Sequence, residues 1–454
     1  MNMQATPRLT LTNLIGYGLG DMANNFVFAM GMIFLLNYYT DTVGISAGVA
    51  GSLLAAVRIY NAVTDVVAGR VVDRTVSRWG RCRPFLLWGA LPLLLLNVMV
   101  FSVPGSWSPT GKLVYACTTY GLLVTAYSFV NIPYGSLAGM MTQVPRERAA
   151  LGSWRTLMAV CTGSFLSMVL GPLIGSRHGE AQQSILTLVT LILAVVGIVL
   201  YYLCFKFTRE VVPRRIERPK LRESLGTLLA NRPLLLLCTS MVCALIGSAS
   251  KGAAAMYFAR YVLGDVKFLF TVMGITTLLG ALLTLPLVPQ LVDRIGKKHV
   301  FLLGLLASSA GGLALYFAPL TDYVWIFCAL GLGGIGNMMV GAIGWALIAD
   351  TVEYGEWRTG IRIEGLSYSF FSFCRKFGQA IGGSVPAFLL ASSGYIPNLA
   401  EQSEAAQLGI LHAMALAPAL AFSLAFALML FYPLTDRRFT ELVDEIGKRQ
   451  DSTK

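Results

Sequence analysis

RIYNAVTDVVAGRVVDRTVSRWGRCRPF, residues 58–85, is the stretch that decides the fold. It leaves an apolar run at Asp73 and Arg74, passes Arg78, Gly80, Arg81 and Arg83, and enters a second apolar run at Phe85. Two membrane-crossing helices joined by a short basic turn read this way. LVDRIGKKHVF, residues 291–301, echoes it in the second half of the chain, with Asp-Arg, then Gly, then basic residues behind an apolar run. One reading of the echo is a duplicated unit, as in membrane proteins built from repeats. The other is that any short basic turn draws on Gly and Arg.

Outward from these turns the same alternation fills the chain. Its 454 residues are 56% hydrophobic and 13% charged, with mean hydropathy +0.66, where a soluble domain carries about 25% charged residues. A soluble enzyme of this length has no core large enough to hide so many apolar runs. Twelve spans are expected, near 14–39, 46–72, 84–104, 111–140, 149–174, 184–207, 233–262, 268–291, 299–318, 322–349, 366–391 and 409–432. The fold class is thus an all-α membrane protein of two pseudo-symmetric six-helix bundles. The bundles are residues 1–207 and 233–433, joined by a cytoplasmic linker at 208–232 and followed by a tail at 434–454.

Orientation follows from Lys and Arg. The loops after spans 2, 6 and 8 are basic, and the longest carries Arg209, Arg214, Arg215, Arg218, Lys220, Arg222 and Arg232. Segments 40–46, 318–322 and 392–408 contain no Lys or Arg. Both termini are therefore expected in the cytoplasm, and the +12 net charge reflects topology, not nucleic-acid binding. The eight cysteines form no CxxC pair, and the three histidines do not pair at ligand spacing. No metal site, cofactor or obligate protein partner is indicated; the partners are the bilayer and a small solute. The N-terminal stretch lacks the apolar core and cleavage site of a signal peptide.

Ionisable residues inside spans are costly, by about 2.5–3.5 kcal/mol on insertion scales, and mark function by default. Tyr17, Asp21 and Asn24 share one face of span 1, and Arg58, Asn61 and Asp65 one face of span 2. Span 4 carries Tyr120, Tyr127, Asn131 and Tyr134; span 5 opens with Trp154 and Arg155. Lys251 lies in span 7, toward the outer mouth. Ser369, Ser372, Lys376 and Gln379 form a stripe in span 11, and the adjacent Arg375 must face elsewhere, toward an aqueous edge. Ser, Thr, Asn and Tyr also hold membrane helices together, so packing competes with function for the uncharged members. Polar stripes from both halves are what a central solute cavity requires. With no Walker loop, the energy source is an ion or solute gradient.

YGLGDMANN (17–25), residues 58–85, VNIPYGSL (130–137) and ADTVEYGEWRTGIRIEG (349–365) resemble the glycoside–pentoside–hexuronide:cation symporters of the major facilitator fold. The likeness runs through the whole chain. GDMANNFVFAMG, VNIPYGSLA, ADTVEYGEW and FCRKFGQAIGGSVPAF bring it nearest to the bacterial glucuronide carriers. The resemblance implies sugar contacts at Asp21 and Arg155, a span 11 lysine at Lys376, and a cation site at Asn61, Asp65 and Ser128. Three positions depart from the melibiose-type pattern. Carboxylates there become Asn61 and Asn131, and an aromatic ring becomes Gly135.

Substrate contacts are accordingly expected at Tyr17, Asp21, Asn24, Tyr127, Asn131, Arg155, Lys376 and Gln379, and cation coupling at Arg58, Asn61, Asp65 and Ser128. Gating is expected from ion pairs of Asp73, Arg74, Asp350, Glu353, Glu356, Arg358 and Arg362. Exchanging two carboxylates for amides makes the cavity more positive, which suits an anionic sugar, and a uronate can pair bidentately with Arg. Losing one carboxylate also weakens a Na⁺ site and leaves Asp65 as a proton site. Burial favours its neutral form and a neighbouring arginine its charged form. The alternatives are a Na⁺- or H⁺-coupled carrier of a neutral or sulfonated glycoside, and a receptor or lipid carrier on the same fold. Single cysteines at Gly105 and Asn398 should react with an impermeant maleimide from the periplasm, and at Ser224 from the cytoplasm. Opposite sidedness at any of them overturns the topology.

Overall fold

The computed structural model describes residues 9–142, 145–177, 179–211, 226, 228–359, 364–399, 401–436, 438–442 and 445, and among them there is no strand. The helices of the first half are α1 (Leu11–Asn37), α2 (Ala47–Arg74), α3 (Arg83–Val100), α4 (Pro109–Met141), α5 (Pro145–Phe165) and α6 (Gly179–Phe207). Those of the second are α7 (Arg232–Tyr257), α8 (Val266–Ile295), α9 (Lys297–Tyr316), α10 (Tyr323–Thr359), α11 (Glu364–Ser392) and α12 (Glu404–Leu430, broken by a π-helical turn at His412–Leu416). Three more π-helical turns, Tyr38–Thr42, Leu166–Leu170 and Phe258–Val262, extend α1, α5 and α7. Gly171–Gly175 completes α5 as a short helical turn.

Eleven of these helices are long and apolar enough to cross a membrane. The twelfth, α11, has the length, 29 residues, but Arg375 and Lys376 lower its hydropathy. The expected spans are present, several of them longer than the apolar run alone suggests. Polar caps set the starts. Thr10 accepts from the Asn13 amide and Asn13 answers at the Thr10 backbone, a capping box for α1. Ser108 caps α4, with Pro109 in the first turn, where its missing N–H costs nothing. Asn231 caps α7 and donates to the Thr351 carbonyl of α10. Leu188, Leu191, Ile192, Val195 and Val199 of α6 are exposed at three- and four-residue spacing, the face of a helix that meets lipid.

The chain forms two compact units. One comprises Met1–Ile216 with two later segments, Ala259–Gly274 and Leu390–Ser403; the other comprises Glu217–Phe258, Ile275–Leu389 and Glu404–Lys454. Helix pairing inside the first unit is repeated in the second. α1 packs on α6 as α7 packs on α12, α3 on α6 as α9 on α12, and α3 on α4 as α9 on α10.

Backbones approach closely inside the second unit, between α9 and α10. A β-carbon on Gly311 would stand 2.5 Å from the Gly333 nitrogen, and one on Gly336 would stand 2.5 Å from the Gly304 carbonyl oxygen. Small residues let membrane helices touch backbone to backbone, where dispersion replaces the missing hydrophobic drive. Gly311→Ala and Gly336→Ala should each destabilise the protein by about 1–3 kcal/mol, as overpacking does. Gly341 is on the same helix with open space around its Cα, so Gly341→Ala should be neutral or stabilising. Thermal unfolding in detergent distinguishes the three.

Candidate functional site

Asp21 and Arg155, both assigned to the sugar by the family resemblance, meet. The Arg155 Nε donates to Asp21 Oδ1 at 2.8 Å, and Asn25 Nδ2 donates to Oδ2 at 2.9 Å. The carboxylate is 7% exposed and the arginine side chain 41%. Tyr134 supports the guanidinium from one side, with Cζ 5.3 Å from the ring centroid. Tyr17 stacks on Tyr134 at 4.8 Å, and the Tyr134 hydroxyl donates to the Tyr17 carbonyl at 2.8 Å. Among the described residues Nε of Arg155 is the nitrogen in use. Among the described residues its two terminal nitrogens have no hydrogen-bonding partner.

Tyr17 and Asn24, expected to touch substrate, are buried. Tyr17 is covered by Tyr134, and Asn24 accepts from the Tyr201 hydroxyl at 2.8 Å and donates to the Gly20 carbonyl. Both hold α1 against its neighbours and so position Asp21. Tyr127 and Asn131 of α4 are half-buried. The Tyr127 ring lies 6.4 Å from that of Phe28, which in turn faces the Arg58 guanidinium at 5.8 Å.

Asn61 and Ser128 also come together. The Asn61 Nδ2 donates to Ser128 Oγ at 3.1 Å and to the Val124 carbonyl at 3.3 Å. Thr64 completes the cluster, its hydroxyl 3.0 Å from Ser128 Oγ. An amide N–H thus stands where the melibiose-type pattern has a carboxylate oxygen, and it faces a hydroxyl. Asp65 follows one turn after Asn61 and is half-buried. Thr64 was absent from the expected set, although its offset of three from Asn61 was readable. Asn25, four residues after Asp21, was missed in the same way.

In the second unit Lys376 and Gln379 are half-buried on α11. Arg375, expected at an aqueous edge, is half-buried against aromatic rings. It packs 5.2 Å over Trp345 and 5.9 Å over Phe371, and aromatic faces attract a cation. Lys251 likewise points into its unit, beside Gly333 of α10. Of the expected gating residues, Asp350 pairs with Lys297, which also lies 3.8 Å from Asp436. Asp436 accepts the Lys297 backbone N–H at 2.8 Å and caps α9. Arg358 is exposed and reaches the Tyr354 hydroxyl at 3.4 Å. Arg74 is exposed, and Glu353 and Glu356 are half-buried. Arg362 and the side chain of Asp73 lie outside the described residues.

A helical chain of this topology, with paired charges in its spans, is the frame of a carrier. The profile of the MFS/sugar transport protein family matches residues 16–436. The chain belongs to that family. It is 47% identical over 450 residues to the glucuronide carrier protein homolog of Escherichia coli K12, covering 99% of this chain and 97% of that one. A putative sulfoquinovose importer of Salmonella typhimurium is 32% identical over 98% of this chain and 94% of its own. A putative glycoside/cation symporter of E. coli K12, YagG, is 33% identical over 98% of this chain and 96% of its own. The glycoside–pentoside–hexuronide:cation symporter assignment from the motifs stands. In fold the chain matches the nucleoside transporter NupG, with TM-score 0.60 at 14% identity, covering 94% of this chain and 100% of that one. This is a multi-pass membrane transporter of the sugar and glycoside class.

Arg155 is the charged partner of a buried carboxylate, so the two should couple energetically. Arg155→Met leaves Asp21 under-satisfied and should cost about 1–3 kcal/mol of stability. Asp21→Asn in the same chain should recover part of that loss. Additive losses in detergent melts would show that the pair contributes nothing as a pair.

Proposed function

We propose that the protein is a proton-coupled symporter that brings a glucuronide or closely related anionic glycoside into the cell by alternating access. It would lie in the bacterial inner membrane with both termini in the cytoplasm. The observation that carries this reading is the geometry of Arg155. Asp21 holds its Nε edge and Tyr134 its face, while the Nη edge, on a side chain 41% exposed, has no partner among the described residues. That edge is the fork a planar carboxylate fits with two parallel hydrogen bonds. The family resemblance alone adds Lys376 as a second cation, and the span 11 stripe adds Gln379 for hydroxyl contacts.

Proton coupling is supported by the Asn61–Ser128–Thr64 cluster. Na⁺ needs several oxygen donors, and here an N–H is directed at the hydroxyl. That leaves Asp65 as the group that takes and releases the proton. Likeness to a protein named as a glucuronide carrier homolog supports the same substrate class. A sulfonated sugar is the second reading, favoured by the relative named as a sulfoquinovose importer. A sulfonate would use the same arginine edge.

A proton moving with a monoanionic glucuronide carries no net charge, so a membrane potential, about 2.3 kcal/mol per charge per 100 mV, would not drive it. Proteoliposomes at equal pH under a K⁺/valinomycin potential should therefore show no potential-driven glucuronide uptake, and Na⁺ should not stimulate uptake. Lys376→Gln should weaken glucuronide transport far more than that of the uncharged glucoside, since losing the partner of a desolvated charge costs about 2–5 kcal/mol. Strong potential-driven or Na⁺-dependent uptake, or equal losses for both sugars, would overturn the scheme.

A further inference from the structure

A carboxylate outside the proposed solute site, at the far end of α1, accepts five side-chain hydrogen bonds. Asp41 sits in the π-helical turn Tyr38–Thr42 and is fully buried, its side chain 0% exposed. Its Oδ1 accepts from the hydroxyls of Thr40 at 2.8 Å and Tyr395 at 2.6 Å. Its Oδ2 accepts from Asn37 Nδ2 at 2.8 Å, the Tyr261 hydroxyl at 2.9 Å and Arg260 Nη1 at 3.2 Å. Asn398 Nδ2 donates to its backbone carbonyl. Arg260 also donates to the carbonyls of Gly175 and Arg177, and Gln182 to Asn37 Oδ1.

The donors come from distant parts of the chain. Arg260 and Tyr261 belong to the π-helical turn that ends α7, and Tyr395 and Asn398 follow α11. The bodies of α7 and α11 lie in the second unit, yet these ends belong to the first, as does the start of α8. There Phe270 packs onto Gly171 and stacks on Phe34 at 6.1 Å, Met168 packs onto Gly274, and Ser167 donates to the Phe270 carbonyl at 3.0 Å. The later segments Ala259–Gly274 and Leu390–Ser403 are thus fastened to α1, α5 and α6 by one carboxylate and one apolar layer.

We propose that Asp41 with Arg260, Tyr261, Tyr395 and Asn398 is a releasable latch, closed in this structure, that seals the end of the carrier remote from the chain's N-terminus. This rests on the alternating-access reading, though not on the identity of the sugar or the ion. Three features favour a latch over a permanent joint. The Asp41 part of the grip is polar, so water can replace each of its donors once the end opens, and only the apolar layer around Phe270 must separate without such replacement. Charge-assisted bonds to a single carboxylate are strong and geometrically exacting, so the contact makes and breaks as a unit. Asp41, Arg260 and Tyr261 stand on π-helical turns, which add a residue to the helix, re-aim its side chains and occur at functional positions.

Ser167 lies about two helical turns inward of Gly175 and is buried under Phe270. It can report opening without any sugar. In the full-length chain with the native cysteines replaced, Ser167→Cys should react slowly with an impermeant maleimide added from the periplasm. Tyr261→Phe with Tyr395→Phe should raise that rate about tenfold, equivalent to about 1.4 kcal/mol in the closed–open equilibrium, with the unfolding temperature near that of the parent. Asp41→Asn should raise it further. The proposal is overturned if the double tyrosine variant labels at the parent rate, or if faster labelling comes only with a matching fall in unfolding temperature. Because no sugar or ion gradient enters the assay, the latch can fail or hold independently of the glucuronide reading.

Discussion

No water reaches the hydrocarbon core of a bilayer, and every polar group placed there must find its partner in protein. That constraint shapes this molecule more than any single contact. It makes the chain helical, since a helix satisfies its own backbone. It also favours a specific bond for a buried side chain with a charge or a dipole. Ser, Thr and Asn across the spans return hydrogen bonds to carbonyls of the preceding turn, as Thr119, Ser128, Thr190 and Thr284 do. The few charges receive shared partners, as Asp21 does from Arg155 and Asn25.

The same rule separates the supporting polar residues from those left open to chemistry. Tyr17, Asn24, Tyr134 and Tyr201 satisfy one another and lock α1 in place. Their service to Arg155 is to hold it where one edge of its guanidinium is occupied and the other open. Arg375 makes the opposite case. It lies half-buried against aromatic rings of its own bundle.

Close approach and helix irregularity do the rest. Glycines let α9 and α10 meet backbone to backbone, and the π-helical turns of α1 and α7 bring Asp41, Arg260 and Tyr261 to one point. A transporter needs bundles that stay rigid while their ends change partners. Apolar backbone contact inside a unit is hard to reverse, while hydrogen bonds to one carboxylate are readily exchanged with water.

The sequence by itself determined the helical fold class, the membrane spans and the family, and it displayed the polar faces of spans 1, 2, 4, 5 and 11. It could do so because apolar run length, helical spacing and motif order are local properties of the chain. The Asp21–Arg155 and Asn61–Ser128 meetings were legible only through the family resemblance, and Thr64 and Asn25 were readable from spacing but passed over. Only the tertiary structure decided which polar residues are consumed in holding the bundle, where Arg375 and Lys251 point, and what Asp41 binds. Asp41 and Arg260 are separated by 219 positions, and neither carries a local signal of the other. Which donors stay free after packing depends on how whole helices pack together in space, and no window of sequence contains that.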